Sequence, residues 1–186
     1  PTERGHRVNR ALLAQHIASD EDGNLIYVNQ TFWEYRNGLW KRLEDGHIRS
    51  QIHKFISERE DALGSLTSAL VEDIFKQLWM IFMAPRGFSF NQNPMVLNFT
   101  NGVLDLKEGK FSDQHKRELF QNIQFPFDFD RDQKCPQWLE FLKSLKFDDE
   151  TVMRLQEWVG YCLLPQVIET LQKSLFFIGE GSNGKS

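Results

Sequence analysis

The stretch Val96-Leu97-Asn98-Phe99-Thr100-Asn101-Gly102-Val103-Leu104-Asp105-Leu106 joins two short apolar runs through an Asn-Gly pair. Asn-Gly supplies the positive φ angles of a tight turn, so the two runs predict antiparallel strands. A third run, Lys110-Phe111, follows Glu108-Gly109 and extends the pattern to a small β-meander. Asp105 alternates with leucines and is expected to point away from the core or to cap a turn. A lone carboxylate is weak support for catalysis.

The residues on either side of this meander predict one further hairpin and several helices. Asn37-Gly38 marks the hairpin turn, and apolar residues at a spacing of three and four mark the helices. The expected elements are a helix over 10–18, a strand over 25–28, hairpin strands over 31–35 and 39–43, a helix over 47–59 with Asp45 as its candidate N-cap, a helix over 66–82, a strand or arm over 124–130 that leads into a loop, a helix over 136–146 begun by Pro136, and a helix that follows an Asp148 cap and ends near 164. The predicted fold class is therefore α+β, with small hairpin and meander elements among packed helices.

Composition is that of an ordinary globular protein. The chain has 186 residues, 40% of them hydrophobic and 26% charged, with a formal net charge of −4. This balance argues against a wholly basic, nucleic-acid-coating domain but leaves room for a local basic patch. The two cysteines, Cys135 and Cys162, lack zinc-site spacing and are expected to be reduced in a cytoplasmic protein. No apolar run approaches the ~20 residues of a membrane span.

Aromatic and basic residues alternate in the predicted hairpin, which allows two interpretations. The hairpin could be a stacking platform for single-stranded nucleic acid, or a small sheet that buries aromatics on one face and exposes charges on the other. The second is favoured because aromatics are common in strands. A short basic cluster near residue 116 could also touch a phosphate backbone. The candidate DNA contacts are Trp33, Arg36, Lys41, Arg42, Lys116 and Arg117.

The C-terminal residues carry the most specific chemical motif. Gly179 to Ser186 fits G-x-x-x-x-G-K-[ST], the phosphate-binding loop of P-loop NTPases, and the apolar run Leu175–Ile178 is expected to be the strand that precedes it. Glycines let successive backbone N–H groups approach the phosphates, while the lysine reaches the outer phosphates and the serine coordinates Mg²⁺. The candidate nucleotide-binding residues are Gly179, Glu180, Gly181, Ser182, Asn183, Gly184, Lys185 and Ser186.

This loop needs more than its own residues to work. Its anion site depends on a following helix and on neighbouring strands, and the metal needs a downstream acidic residue. We therefore expect the sequence to be the N-terminal part of a longer ATPase, with its start at Pro1 rather than Met pointing the same way. Alone, it is expected neither to hydrolyse ATP nor to bind it tightly.

Four ordered motifs resemble the segment that precedes the superfamily-three helicase ATPase in phage, plasmid and poxvirus primase–helicases. The resemblance covers roughly residues 20–186. The motifs are Asn101-Gly102-Val103-Leu104-Asp105-Leu106, Cys135-Pro136-x-Trp138-x-x-Phe141-Leu142, Leu155-Gln156-Glu157-x-x-Gly160-Tyr161 and Gly179-x-Gly181-x-Asn183-Gly184-Lys185-Ser186.

The resemblance implies a DNA-replication protein. In such proteins an AAA+-like ATPase forms a hexameric ring that moves along single-stranded DNA, and the preceding domain is a collar or linker that supports ring assembly, DNA positioning or both. Residues 1–174 are then the pre-ATPase domain, with a possible sub-boundary near 85–95, and residues 175–186 begin the motor. ATP and Mg²⁺ belong to the longer protein, with Lys185 at the outer phosphates and Ser186 at the metal.

Two other functions fit parts of the sequence. A stand-alone DNA-binding or protein-docking module would explain the hairpin and basic cluster without catalysis. A small-molecule kinase would share only the P-loop, and it fits poorly because kinase P-loops usually lie near the start of the chain.

Overall fold

A computed structural model describes residues 9–20, 23–59, 66–164 and 173–178. The chain divides into two compact units, Pro1–Phe90 and Asn91–Ser186. Each unit carries one three-stranded antiparallel sheet, and five α-helices are present in the described part. This arrangement confirms the predicted α+β class.

The first unit packs three helices around one face of its sheet. The sheet order is β1-β2-β3, with short hairpin turns between the strands. Asn37 and Gly38 have φ angles of 53° and 78°, which confirms the tight turn predicted from Asn-Gly. In chain order, its elements are α1 (Arg10–Asp20), β1 (Leu25–Val28), β2 (Thr31–Arg36), β3 (Leu39–Leu43), α2 (Asp45–Ser57) and α3 (Ser68–Ile81).

The core of the first unit forms because the apolar residues of α2 and α3 recur at helical spacing. Ile48, Ile52 and Ile56 of α2 are buried, as are Ile74 and Leu78 of α3. Phe32 of β2 belongs to the same cluster and has no exposed surface. The helices therefore cover the sheet face that carries Phe32.

The second unit is built on the predicted meander. Its sheet has the order β4-β5-β6, and Leu97, Phe99 and Leu104 form its buried centre. In chain order, its elements are β4 (Val96–Phe99), β5 (Gly102–Asp105), β6 (Lys110–Ser112), a 3₁₀ helix (Arg117–Leu119), α4 (Pro136–Ser144) and α5 (Asp149–Cys162).

In the second unit, the residues predicted to start helices and to cap a helix or a turn have those roles. Pro136 occupies the first turn of α4, where its missing N–H costs nothing. Asp148 is the N-cap of α5, and its carboxylate accepts a hydrogen bond of 2.7 Å from the Thr151 backbone N–H. Asp105 caps the turn after β5, accepting from the backbone N–H groups of Lys107 and Glu108.

Three local expectations are wrong. Asp45 lies in the first turn of α2 rather than at its N-cap, because Glu44 holds the extended backbone of the cap position and makes no capping bond with its side chain. Gly102 does not lie in a turn, since its register partner is Phe99, which leaves Thr100 and Asn101 as the loop. Leu175–Ile178 forms no strand, because none of the described residues pairs with it.

The remaining predicted helices and hairpin strands differ from expectation only at their ends, whereas the 3₁₀ helix Arg117–Leu119 was not predicted. The helix expected over 66–82 begins at Ser68, after a Thr67 N-cap whose hydroxyl accepts from the Leu70 N–H. The helix expected over 136–146 ends at Ser144, where Leu145 and then Lys146, with φ 55°, turn the chain. Within the described ranges, no helix is long and apolar enough to cross a bilayer.

Candidate nucleic-acid interface

The candidate interface of the first unit is the sheet face that points away from the Phe32 cluster. The strand register sets Trp33 opposite Arg42 and Tyr35 opposite Trp40. Directly opposite residues share a face, and side chains alternate along a strand. These four side chains therefore lie together, and we call this surface the aromatic face.

Phe90, from the segment after α3, packs on the aromatic face, and Phe88 packs against Phe90. The Phe90 ring centroid lies 4.6 Å from that of Trp33 and 6.3 Å from that of Trp40. Phe88 meets Phe90 edge to face at 5.1 Å. Trp40 is consequently buried at 2% exposure, whereas Trp33 and Tyr35 are half-buried. The packing interpretation accounts for Trp40, and only the half-buried rings keep surface for a ligand.

The predicted basic contacts of the hairpin do not all lie on this face. Arg42 lies beside Trp33, but Lys41 is the register partner of Glu34 on the opposite face. Arg36 shares that opposite face, and its guanidinium donates a 2.8 Å hydrogen bond to the Glu34 carboxylate. The fold thus brings together Trp33 and Arg42 and separates them from Arg36 and Lys41.

The second predicted basic cluster belongs to the other unit. Lys116 is exposed and precedes the 3₁₀ helix, while Arg117 is half-buried and its Nε lies 3.1 Å from the Glu118 carboxylate. The pKa of Glu118 is lowered, first by a hydrogen bond from its own backbone N–H and then by Arg117. Contact of either residue with DNA stays a prediction, as it does for the four hairpin residues.

Arg49 of α2 and Arg59, which follows this helix, are engaged within the first unit. The Arg49 guanidinium makes two hydrogen bonds to the Glu72 carboxylate of α3, at 2.6 and 3.3 Å, and stacks 3.9 Å from the Phe75 ring centroid. The hydrogen bond from Arg49 lowers the pKa of Glu72 and raises the pKa of Arg49 itself. Arg59 stacks in the same way over Phe55, at 3.9 Å. The Arg49 contacts hold α2 against α3. Because both guanidinium groups are already engaged, they are poorer candidates for binding a DNA phosphate.

Sequence reasoning missed the polar contacts that attach the arm over 124–130 to β4 and to the loop that follows β4. The Asn98 carbonyl accepts a 2.8 Å bond from the Phe125 N–H. The Asn101 amide bonds both the N–H and the carbonyl of Phe129, at 2.8 and 3.0 Å. The two asparagines of residues 96–101 are visible in the sequence, but the sequence does not show which groups will form hydrogen bonds with them.

Within the described ranges, no group of three or more His, Cys, Asp or Glu side chains is placed to hold a metal ion. Cys135 and Cys162 are free thiols and both are exposed. The predicted nucleotide loop, Gly179 to Ser186, lies outside the described residues.

The described chain is thus an α+β protein of two sheet-bearing units, and one sheet face of the first unit brings Trp33 together with Arg42. The sequence profile of the family described as D5 N terminal like matches residues 10–146, well over half of the chain. The chain belongs to this family, the N-terminal domain of D5-like primase–helicase proteins of phages, plasmids and poxviruses. This match confirms the resemblance drawn from the motifs. No curated protein sequence matches the chain.

Proposed function

We propose that this chain acts in DNA replication as the domain that precedes an ATP-dependent helicase motor, where it supports ring assembly and positions DNA. Membership of the D5 N terminal like family supports the replication context. The observation that carries the assembly role is the exposed apolar surface of α4 and α5 in the second unit.

These two helices bury little of their apolar surface. Of the side chains that the structure describes on them, only Leu142 is buried. Trp138 is 44% exposed and Met153 is 59% exposed, and Trp138 lies against Phe141 with ring centroids 5.6 Å apart. The exposed large apolar residues of this region are Trp138, Leu139, Phe141, Phe147, Met153, Val159 and Leu163.

The size of this surface suits an interface. A fully exposed aromatic side chain presents about 150–250 Å², so these partly exposed residues together offer on the order of 500 Å². A standard interface takes about 800 Å² per partner, part of it in a polar rim. We infer that α4 and α5 supply the apolar part of a contact between copies in the ring.

Sedimentation velocity of the chain over a range of concentrations tests the assembly role. The chain should form larger species as its concentration rises, and the double substitution Leu139→Ser with Met153→Ser should shift it towards monomer. Met80→Ser is the matched control, because Met80 is 50% exposed on α3 of the first unit. A chain that stays monomeric at high concentration would favour a stand-alone docking module instead.

The nucleotide chemistry forms part of the same proposal. Gly179 to Ser186 would hold ATP and Mg²⁺ in the longer protein, with Lys185 at the outer phosphates and Ser186 at the metal. The motif at these positions supports this assignment. In a chain extended through the motor, DNA-stimulated ATP hydrolysis should be lost on Lys185→Ala. Retained hydrolysis would remove Lys185 from the proposal.

A further inference from the structure

A pocket of about 510 Å³ opens in the first unit between the β1–β2 turn and the segment after α3. Its size falls in the 300–1,000 Å³ range of ligand-binding clefts. Tyr27, Trp79 and Phe88 contribute aromatic surface to its lining, and Asn29 and Gln30 contribute side-chain amides. Neither the sheet prediction nor the family match points to this pocket.

Backbone pairing holds the pocket in shape. The Tyr27 N–H donates a 2.7 Å hydrogen bond to the Phe82 carbonyl, and the Ala84 N–H donates a 2.9 Å bond to the Tyr27 carbonyl. Residues 82–84 therefore run alongside the outer edge of β1, where Tyr27 and Met83 form a parallel bridge. The Tyr27 and Trp79 rings lie 5.6 Å apart. Two sides of the pocket are thus anchored to each other before any ligand arrives.

The turn at the pocket presents two polar side chains. Asn29 and Gln30 have φ angles of 49° and 60°, the left-handed pair that a two-residue hairpin turn requires. Glutamine is an unusual residue for this conformation. Both residues are exposed, and neither side chain makes a hydrogen bond to another described residue. Two amides with free donors and acceptors are therefore available to a ligand.

The charge around the pocket favours an anionic chain. Among the described residues, no aspartate or glutamate lines it. Arg86 lies between the lining residues Pro85 and Gly87, and it is exposed. A guanidinium carried by the segment that lines an aromatic pocket suits a phosphate that flanks a stacked base.

We infer that this pocket binds a base of single-stranded DNA, with the base against the aromatic wall and a neighbouring phosphate at Arg86. The inference rests on the proposed function, because it gives the DNA-positioning role a site. Side-chain amides can pair with base edges, and aromatic rings stack on bases of any sequence. A purely apolar peptide side chain would use neither the amides nor the arginine.

The pocket also connects to the aromatic face. Phe88 contacts Phe90 at 5.1 Å, and Phe90 contacts Trp33 at 4.6 Å, with Arg42 next to Trp33 in the register. Packed rings thus link the pocket to Trp33 and Arg42, the two predicted contacts that the fold brings together.

Fluorescence anisotropy of a labelled 20-nucleotide single strand, titrated with the full chain at several salt concentrations, tests this site. Trp79→Leu and Phe88→Leu keep apolar volume and remove stacking, so each should weaken binding about 5- to 100-fold with an unchanged salt slope. Arg86→Gln should reduce the slope of log affinity against log salt by about 0.7. Phe127→Leu and Arg131→Gln, at an exposed aromatic and an exposed arginine of the second unit outside α4 and α5, should leave the affinity unchanged.

The outcomes separate the pocket from the proposed function. If the unaltered chain binds no single-stranded DNA, the DNA-positioning role fails. If it binds and the leucine variants match it, the pocket inference is overturned while the proposed function stands, and a protein ligand becomes the better occupant. Photocrosslinking of the unaltered chain to 5-iododeoxyuridine strands needs no variant. Adducts should fall in the tryptic peptides that carry the lining residues, which span 11–36, 77–86 and 87–107, and adducts confined to other peptides would overturn the inference.

Discussion

Replacing Gly102 by alanine should unfold the meander of the second unit more readily than any other glycine substitution in it. Gly102 opens β5 with φ at 152°, a conformation that L side chains rarely adopt. An added Cβ would lie 2.7 Å from the Phe111 Cζ and closer still to the backbone carbonyl oxygen of Ser112. Both neighbours belong to β6, the adjacent strand, so the clash falls on the β5–β6 pairing.

The cost of this substitution can be estimated from its two parts. The unfavourable φ costs about 1–2 kcal/mol, and forcing extra volume into a packed site costs about 1–3 kcal/mol. The clash with a backbone oxygen cannot be relieved by a rotamer change, so both parts apply. We expect a loss of about 2–5 kcal/mol, which is a large share of the ~5–15 kcal/mol stability of a domain.

Hydrogen exchange measured by mass spectrometry, together with urea unfolding, checks this estimate. Peptides that cover β5 and β6 should lose protection in Gly102→Ala, and the unfolding midpoint of the second unit should fall. Gly109→Ala is the matched control, because Gly109 has φ 62° but an added Cβ there would meet open space, so only the conformational cost of about 1–2 kcal/mol applies. Equal midpoints for the two variants would refute the steric argument.

Three further substitutions test the caps and the core. Thr67→Ala removes the hydroxyl that accepts from the Leu70 N–H at the start of α3, and it should cost about 1 kcal/mol in thermal unfolding, whereas Thr67→Ser should restore most of it. Ile74→Ala truncates a fully buried side chain in the first unit and should cost about 2–5 kcal/mol in urea unfolding; a loss below about 1 kcal/mol would contradict its place in the core. The pKa of Asp148 is lowered by its hydrogen bonds with Thr151, so its capping contribution should be present above the ordinary value of 3.8 and should be lost as pH falls through the lower folded value. Asp148→Ala should therefore destabilise α5 at pH 7. Below the folded pKa of Asp148, the variant and the unaltered chain should be equally stable, and the helix signal in circular dichroism measures both.

Local chemistry explains why much of the fold could be predicted. The turn at Asn37-Gly38, the start of α4 at Pro136 and the cap at Asp148 each depend on backbone preferences within a few residues. The error at Asp45 has the same origin, because two adjacent acidic residues could both serve as a cap and only the backbone geometry selects Glu44.

The candidate site was less predictable because it depends on register and on distant partners. The sequence places Trp33, Arg36, Lys41 and Arg42 within ten residues of one another. Pairing of β2 with β3 then puts Trp33 with Arg42 and the other two on the opposite face. A shift of one residue would have reversed this assignment.

By itself, the sequence determined the class of this protein, the order of its helices and strands, and its membership of a primase–helicase family, because periodicity, turn residues and ordered motifs are properties of short stretches. Only the tertiary structure decided that Arg49 bonds Glu72 and that Tyr27 and Trp79 line the same pocket. It also decided that Asn98 and Asn101 form hydrogen bonds with the arm. Each of these contacts joins residues more than twenty positions apart, and such partners are selected by packing and hydrogen-bond geometry.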